Sequence, residues 1–270
     1  MQDFSYHKPT SLEEVTLIIE GLEDKIFLAG GQTILPVMKF GLAQPTDVVD
    51  LNAIDELTNI NVTGTMVCIG AMSTHATVAA SKKIRKILPS LANLAGLIGD
   101  VHVRNRGTIG GSLANNDPSA DYPAAVMALN GIIITNKRNI CADEFFVNMF
   151  ETSLDEGEII TRVDFPVPDL SAYAKFPNPA SRYAIAGVFV SKTFKEVRLA
   201  ITGAGPVVFR SLEMEAALSK DFSATTIKNI RIPFDGLSND IHASSEFRSH
   251  LISVMAKRAV MKAIRNGVTK

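Results

Sequence analysis

Four prolines fall between residues 166 and 179, at Pro166, Pro168, Pro177 and Pro179. Each fixes φ and removes a backbone donor, so neither a continuous helix nor a central strand is expected to cross this stretch. A domain boundary is expected there, and the patterns on its two sides differ. Upstream, Ser11-Leu12-Glu13-Glu14 has the form of a capping box. Leu12, Val15, Ile19 and Leu22 follow it at helical spacing, with Gly21 placed to end the run. Short β runs are expected at Lys25–Leu28, Thr46–Leu51 and Met66–Ile69. Thr74–Ile98 reads as helix interrupted near Pro89, and Val101–Ala114 as a glycine-rich turn region. Pro123–Leu129 reads as a short helix, Gly131–Thr135 as a buried strand, Ala142–Thr152 as helix and Glu158–Phe165 as strand. Downstream come three β runs, Ala186–Phe194, Val197–Thr202 and Val207–Phe209, expected to form an antiparallel sheet. Ile252, Met255, Ala256, Ala259, Val260, Ala263 and Ile264 then mark one face of a terminal helix. This order gives an α+β arrangement, not the strict alternation of a doubly wound fold.

The 270 residues suffice for two packed domains or one large one. With 28 acidic and 27 basic residues, no basic stripe exists to neutralise phosphates, so a nucleic-acid partner is not expected. No apolar run approaches the length of a membrane span, and the start lacks the pattern of a signal peptide. The expected compartment is the cytoplasm. Cys68 and Cys141 lie far apart with no Cys-x-x-Cys pair, so the chain cannot hold an iron–sulfur cluster alone. The five histidines show no metal-ligand spacing. Whatever chemistry occurs here must be carried by something bound.

Two glycine-pair segments stand out. One is Leu28-Ala29-Gly30-Gly31-Gln32-Thr33-Ile34-Leu35, directly after a β run. The other is Arg106-Gly107-Thr108-Ile109-Gly110-Gly111-Ser112-Leu113-Ala114. Paired glycines let the main chain approach a ligand closely, and successive amides in such turns form an anion-binding concavity suited to a diphosphate. Thr33, Thr108 and Ser112 add hydroxyls. Neither loop fits Gly-x-Gly-x-x-Gly or Gly-x-x-x-x-Gly-Lys-Ser/Thr, and Gly203-Ala204-Gly205 lacks the third glycine of the first pattern, so a Rossmann domain is disfavoured. The residues point to a phosphate-bearing cofactor without naming it. Valine at both Gly110 and Gly111 is expected to abolish its binding while leaving much of the fold intact.

Ala29-Gly30-Gly31-Gln32-Thr33, followed by Leu35-Pro36 and Met38-Lys39, resembles the first FAD loop of the molybdenum-hydroxylase flavoproteins. That family includes the carbon monoxide dehydrogenase medium subunit and the xanthine dehydrogenase flavin domain. Val103 to Ala114, then Asp117-Pro118-Ser119-Ala120-Asp121, resembles its second loop. Lys175-Phe176 with Ala180-Ser181-Arg182 resembles the opening of its C-terminal domain. The resemblance spans essentially the whole chain. It implies a two-part FAD-binding domain of the vanillyl-alcohol-oxidase-like (PCMH) type over residues 1–170, with subdomains about 1–57 and 58–170. A C-terminal domain over 171–270, with a three-stranded antiparallel sheet and helices, would follow.

By that resemblance, residues 28–35 (Leu28, Ala29, Gly30, Gly31, Gln32, Thr33, Ile34, Leu35) and 108–112 (Thr108, Ile109, Gly110, Gly111, Ser112) would wrap the diphosphate. Asp121 would lie near the adenosine part, Ile98 would face the flavin ring, the Ile160 backbone would reach the ring edge, and Lys175 would lie near the flavin. Gln32 stands where some members have His or Asn, and Ser112 where many have Asn. Read without the resemblance, Asp121 would cap the helix at Pro123, Ile98 would be core, and Arg104 and Arg106 would pair with surface carboxylates. The implied function is electron transfer: substrate is oxidised at a molybdopterin cofactor in a large subunit. Electrons pass through [2Fe-2S] clusters in a small subunit to FAD in this chain, then to an external acceptor. A dimer of heterotrimers is implied, with association at the inner membrane face left open. No side chain here need be catalytic. A self-contained FAD reductase on the same fold and a structural subunit without flavin remain alternatives.

Overall fold

A computed structural model describes residues 2–268, so Met1, Thr269 and Lys270 at the ends of the expected domains lie outside it. The first unit is a parallel sheet of β1 (Ser5–His7), β2 (Lys25–Leu28) and β3 (Asp47–Asp50) in the order β1-β3-β2. Helices α1 (Leu12–Ile19) and α2 (Ile34–Lys39) connect the strands. Ser11 caps α1 by accepting from the Glu14 amide at 3.1 Å. The Glu14 carboxylate reaches back to the Thr10 amide, one residue earlier than the capping-box pattern has it. Val15, Val49, Leu51, Ile54, Leu57, Met72 and Ile159 form this unit's core.

The middle unit is a five-stranded antiparallel sheet. Its strands are β4 (Ile60–Thr63), β5 (Met66–Gly70), β6 (Ile132–Thr135), β7 (Asn139–Cys141) and β10 (Ile160–Pro166), in the order β4-β5-β10-β6-β7. Between β5 and β6 the chain runs through α3 (His75–Ala80), α4 (Lys82–Ile87), α5 (Pro89–Gly96), α6 (Val101–Arg106), α7 (Ile109–Asn115) and α8 (Tyr122–Ala128). Between β7 and β10 lie the single turn α9 (Ala142–Phe145) and a small hairpin, β8 (Phe146–Asn148) with β9 (Glu151–Thr152). The last unit pairs β11 (Leu170–Pro177), β12 (Ala184–Lys192), β13 (Val197–Thr202) and β14 (Phe209–Arg210) in consecutive antiparallel order. Helix α10 (Leu212–Lys220) follows, and α11 (Ser245–Val268) lies across β11 and β12.

The α+β class stands, while the C-terminal sheet has four strands instead of three. The additional long strand is β11, which occupies the proline stretch itself. Pro166 and Pro168 precede it and Pro177 ends it at a register shift. It forms one edge of the sheet, where a proline without a donor is tolerated. The expected turn region 101–114 holds two short helices, because Asp100 accepts from the His102 and Val103 amides and Thr108 accepts from that of Gly111. These caps outweigh the low helix propensity of glycine. Helix does not continue through 142–152. Phe150 takes a left-handed φ of 56°, which turns the chain into the hairpin. Of the seven residues marking the terminal helix face, six are buried; Ile264 is exposed.

Among the described residues, three ion pairs stitch the middle unit to the last one: Asp143 on α9 pairs with Arg198 of β13 and with Arg210 of β14, and Asp121 pairs with Lys175 of β11. None of the described helices is long and apolar enough to cross a membrane.

Candidate cofactor site

The two glycine turns touch at Gly30 and Gly107, residues 77 apart in the sequence. A Cβ on Gly30 would lie 2.2 Å from the Arg106 carbonyl oxygen and 2.7 Å from the Gly107 Cα. One on Gly111 would stand 3.4 Å from the Ala29 Cβ. The first turn is bent by Gly31, whose φ of 72° disfavours any side chain. It is steadied by Asn52, whose amide donates to the Ala29 carbonyl at 2.8 Å and is itself oriented by Asp50.

The turns differ in what they offer. Among the described residues, the amides of Gly31, Gln32, Thr33 and Ile34 meet no acceptor. In the second turn the Thr108 amide likewise meets no acceptor, while those of Ile109 to Ser112 are already used. Ile109 donates to Ser73 O, Gly110 to Ala71 O at 2.8 Å, Gly111 to the Thr108 hydroxyl, and Ser112 to Thr108 O. Free amides are therefore concentrated in the first turn. The second supplies close approach and the Ser112 hydroxyl. Gly110 is required by packing, since a Cβ there would stand 2.6 Å from that of Ala71 and 2.9 Å from the Ala71 carbonyl oxygen.

Both turns line a cavity of ≈ 900 Å³, near the upper end for small-molecule sites. Of the residues singled out in the sequence, Ala29, Gly30, Gly31, Gln32, Thr33, Ile34, Ile98, Thr108, Gly110, Gly111, Ser112, Asp121 and Ile160 line it. The other four sit behind the wall. Leu28 and Leu35 flank Gly31, Ile109 is fully buried core, and Lys175 is bonded to Asp121. Sequence reasoning missed Phe27, Val37, Leu51, His75, Phe150, Glu158 and Tyr183, which line the same space. Their signals are ordinary core patterns, and only their meeting across units reveals them.

Asp121 is almost wholly buried and does not cap α8. Its carboxylate accepts from the Tyr173 hydroxyl at 2.5 Å and from the Lys175 ammonium at 3.0 Å. Burial pushes this carboxyl up, against the pull of the Lys175 charge and the two hydrogen bonds. Lys175 also donates to the Leu97 carbonyl at 2.9 Å, which brings Asp121 to the Ile98 end of the cavity. Among the described residues, Arg104 pairs with no carboxylate. It donates to the carbonyls of Ile98 and Gly99 at 2.9 and 2.8 Å. A second, smaller polar cavity of ≈ 180 Å³ adjoins the first and shares Asp117, Ser181 and Tyr183 with it.

Two titratable groups of the lining give the fold a pH signature. Burial, and then the Arg104 charge, pulls the His75 imidazole from 6.5 down to about 4. Glu158 is pushed up by burial, yet hydrogen bonds from Arg138, the Asp155 amide and Thr135 outweigh this and hold it at about 2. A depressed imidazole pKa means that the unfolded chain takes the proton first, so His75 contributes stability above 6.5 that is lost as pH falls towards 4. Glu158 contributes stability above 4.5, lost as pH falls through 2. Urea midpoints should show a loss of about 2 kcal/mol between pH 7 and 5 in the native chain, and little of it in His75→Leu. Equal losses in both proteins would remove His75 as the cause.

Comparison with known proteins agrees with this geometry. The chain belongs to the family of FAD-binding subunits of molybdenum hydroxylases: residues 2–168 match the family model for the FAD-binding domain in molybdopterin dehydrogenase. Residues 171–263 match that for the carbon monoxide dehydrogenase flavoprotein C-terminal domain. The nicotine 6-hydroxylase medium subunit of Paenarthrobacter nicotinovorans is 35% identical over 272 residues, covering 96% of both chains. The carbon monoxide dehydrogenase medium chain of Hydrogenophaga pseudoflava is 32% identical over 277 residues, again 96% of both. A solved structure of carbon monoxide dehydrogenase from that organism, lacking the Mo-pyranopterin moiety, superposes with a TM-score of 0.87 at 33% identity over 97% of this chain and 98% of the other.

Proposed function

We propose that the chain binds one FAD in the 900 Å³ cavity and passes electrons through it, from [2Fe-2S] clusters of a small partner subunit to an external acceptor. Substrate would be oxidised at a molybdopterin cofactor in a large subunit, within a cytoplasmic dimer of heterotrimers. Residues 1–170 would form the FAD-binding domain and 171–270 the C-terminal domain. The observation that carries this reading is the meeting of a turn rich in unpartnered amides with a second glycine turn on a single cavity.

The amides of Gly31 to Ile34 would hold the diphosphate, with the Thr33 and Ser112 hydroxyls beside them. The apolar Ile98 end, closed by Val103 and Tyr183, would take the ring. When bound, the flavin supplies the capacity to accept and release electrons; the chain binds it, orients it and shields it from water. No side chain of this protein is required as acid or base on the organic or gaseous substrate.

Expression with the genes of candidate large and small subunits tests this reading. A yellow complex of three kinds of subunit, bleached by substrate and re-coloured by an acceptor, is the expected result. A colourless chain that takes up no added FAD would instead favour a structural subunit. Turnover by the chain alone would favour a self-contained reductase.

A further inference from the structure

We infer that Lys175 is a positioning residue which fixes the wall of the cofactor cavity without touching the cofactor. This rests on the FAD reading above. The Lys175 side chain is 3% exposed and does not line the cavity. An ammonium has three N–H donors and no acceptor, and here each has a partner. One points to the Leu97 carbonyl at 2.9 Å, one to the Arg182 carbonyl at 2.9 Å and one to the Asp121 carboxylate at 3.0 Å.

The three acceptors come from three separate segments of the wall. Leu97 closes α5 and leads into Ile98, which lines the cavity. Asp121 precedes α8 and lines it. Arg182, held in a left-handed conformation at φ 63°, belongs to the β11–β12 turn and lines it together with Tyr183. Lys175 itself lies on β11, so one charge ties two segments of the middle unit to one of the last unit. Arg104 takes the next two carbonyls, Ile98 and Gly99. The C-cap carbonyl of α5 is thus met by a cation, as the negative end of a helix favours, and the two carbonyls just beyond it by a second.

Tyr173 stands two residues before Lys175, on the same face of β11, and donates to the Asp121 carboxylate at 2.5 Å. Two donors from one strand face therefore hold one acid. Arginine cannot replace this arrangement, because its planar fork does not present three donors to three diverging acceptors. Loss of the ammonium frees the Leu97 and Arg182 carbonyls and leaves the Asp121 carboxylate without a countercharge at the Ile98 end. Both the grip on the cofactor and the charge next to it change as a result.

The test uses the chain purified with whatever subunits it retains, and reads the FAD dissociation constant together with the flavin midpoint potential. Lys175→Met should weaken FAD binding by about tenfold or more and move the potential, and Lys175→Arg should not restore either. In an Asp121→Asn background, Lys175→Met should still weaken binding through the lost Leu97 and Arg182 contacts, but by less than in the native chain, because the Asp121 contact is already altered. An effect as large as in the native chain would mean that the contact between Lys175 and Asp121 plays no part in holding the wall, which overturns the inference. So would unchanged affinity and potential in Lys175→Met. Should that variant fail to fold, Tyr173→Phe removes a single hydroxyl from Asp121 and should shift both quantities in the same direction; no shift there also overturns the inference. A native chain that holds no flavin would defeat the FAD reading instead.

Discussion

Alanine at Gly30 is expected to empty the cofactor site and destabilise the chain together. Its methyl would lie 2.2 Å from the Arg106 carbonyl oxygen and 2.7 Å from two further backbone atoms. Backbone cannot yield as a flexible side chain does, so the two glycine turns must part. Overpacking of this kind costs about 1–3 kcal/mol, which lowers Tm by roughly 3–10 °C for a protein of this size. Gly111→Ala is the contrasting variant. Its methyl meets the Thr108 hydroxyl at 2.9 Å and the Ala29 Cβ at 3.4 Å. It should lose FAD affinity with a Tm change of only about 2 °C. Visible flavin absorbance and a thermal scan on both variants check this. Native flavin content in Gly30→Ala would show that the contact between the turns is not what shapes the site. For the double valine change, the Gly110 position has little room against Ala71, so that variant should be destabilised as well as emptied.

Asp121→Ala should be the most destabilising single change in the cavity wall, by about 3–5 kcal/mol in urea unfolding at neutral pH. The reason lies less in the bonds lost than in what they leave behind. Lys175 would remain charged in a place where its side chain is 3% exposed, and the Tyr173 hydroxyl would remain buried without its acceptor. Asp121→Asn keeps an oxygen for one of the two donors and should lose less than alanine does. Removing both charges in Asp121→Ala with Lys175→Met should recover part of the loss, because no lone charge is then buried. A loss under about 1 kcal/mol in Asp121→Ala would show that water reaches this pair freely.

What the sequence made legible was what local chemistry encodes. The Ser11 cap, the buried face of α11 and the first glycine turn follow from residue types at fixed spacing, and each appears as read except for Ile264. The strand β11 did not, because its prolines stand at its ends and on a sheet edge, where they do no harm, and a pattern reading counts them against a strand. Helices α6 and α7 were hidden for a related reason: the caps at Asp100 and Thr108 override the glycines that follow. At the site the difference is one of distance along the chain. The hydroxyls and glycines announce a diphosphate grip, whereas Phe150, Glu158 and Tyr183 become lining residues only when hairpin, strand and C-terminal turn converge. Nor could spacing reveal that the amides of the second turn are spoken for by Ser73 and Ala71, since those partners lie some 36 to 39 residues upstream of Ile109 and Gly110.

The turn carrying Arg182 and Tyr183 has a bearing on how such chains can diverge. It is written in the C-terminal third of the sequence but forms wall for a ligand gripped by the first third. Hybrids that splice the front of one relative to the back of another at the proline stretch would inherit mismatched halves of one binding surface. Recombination at this seam, attractive because few residues are disturbed, should therefore yield folded proteins with poor flavin retention unless the partners of Lys175 travel with it.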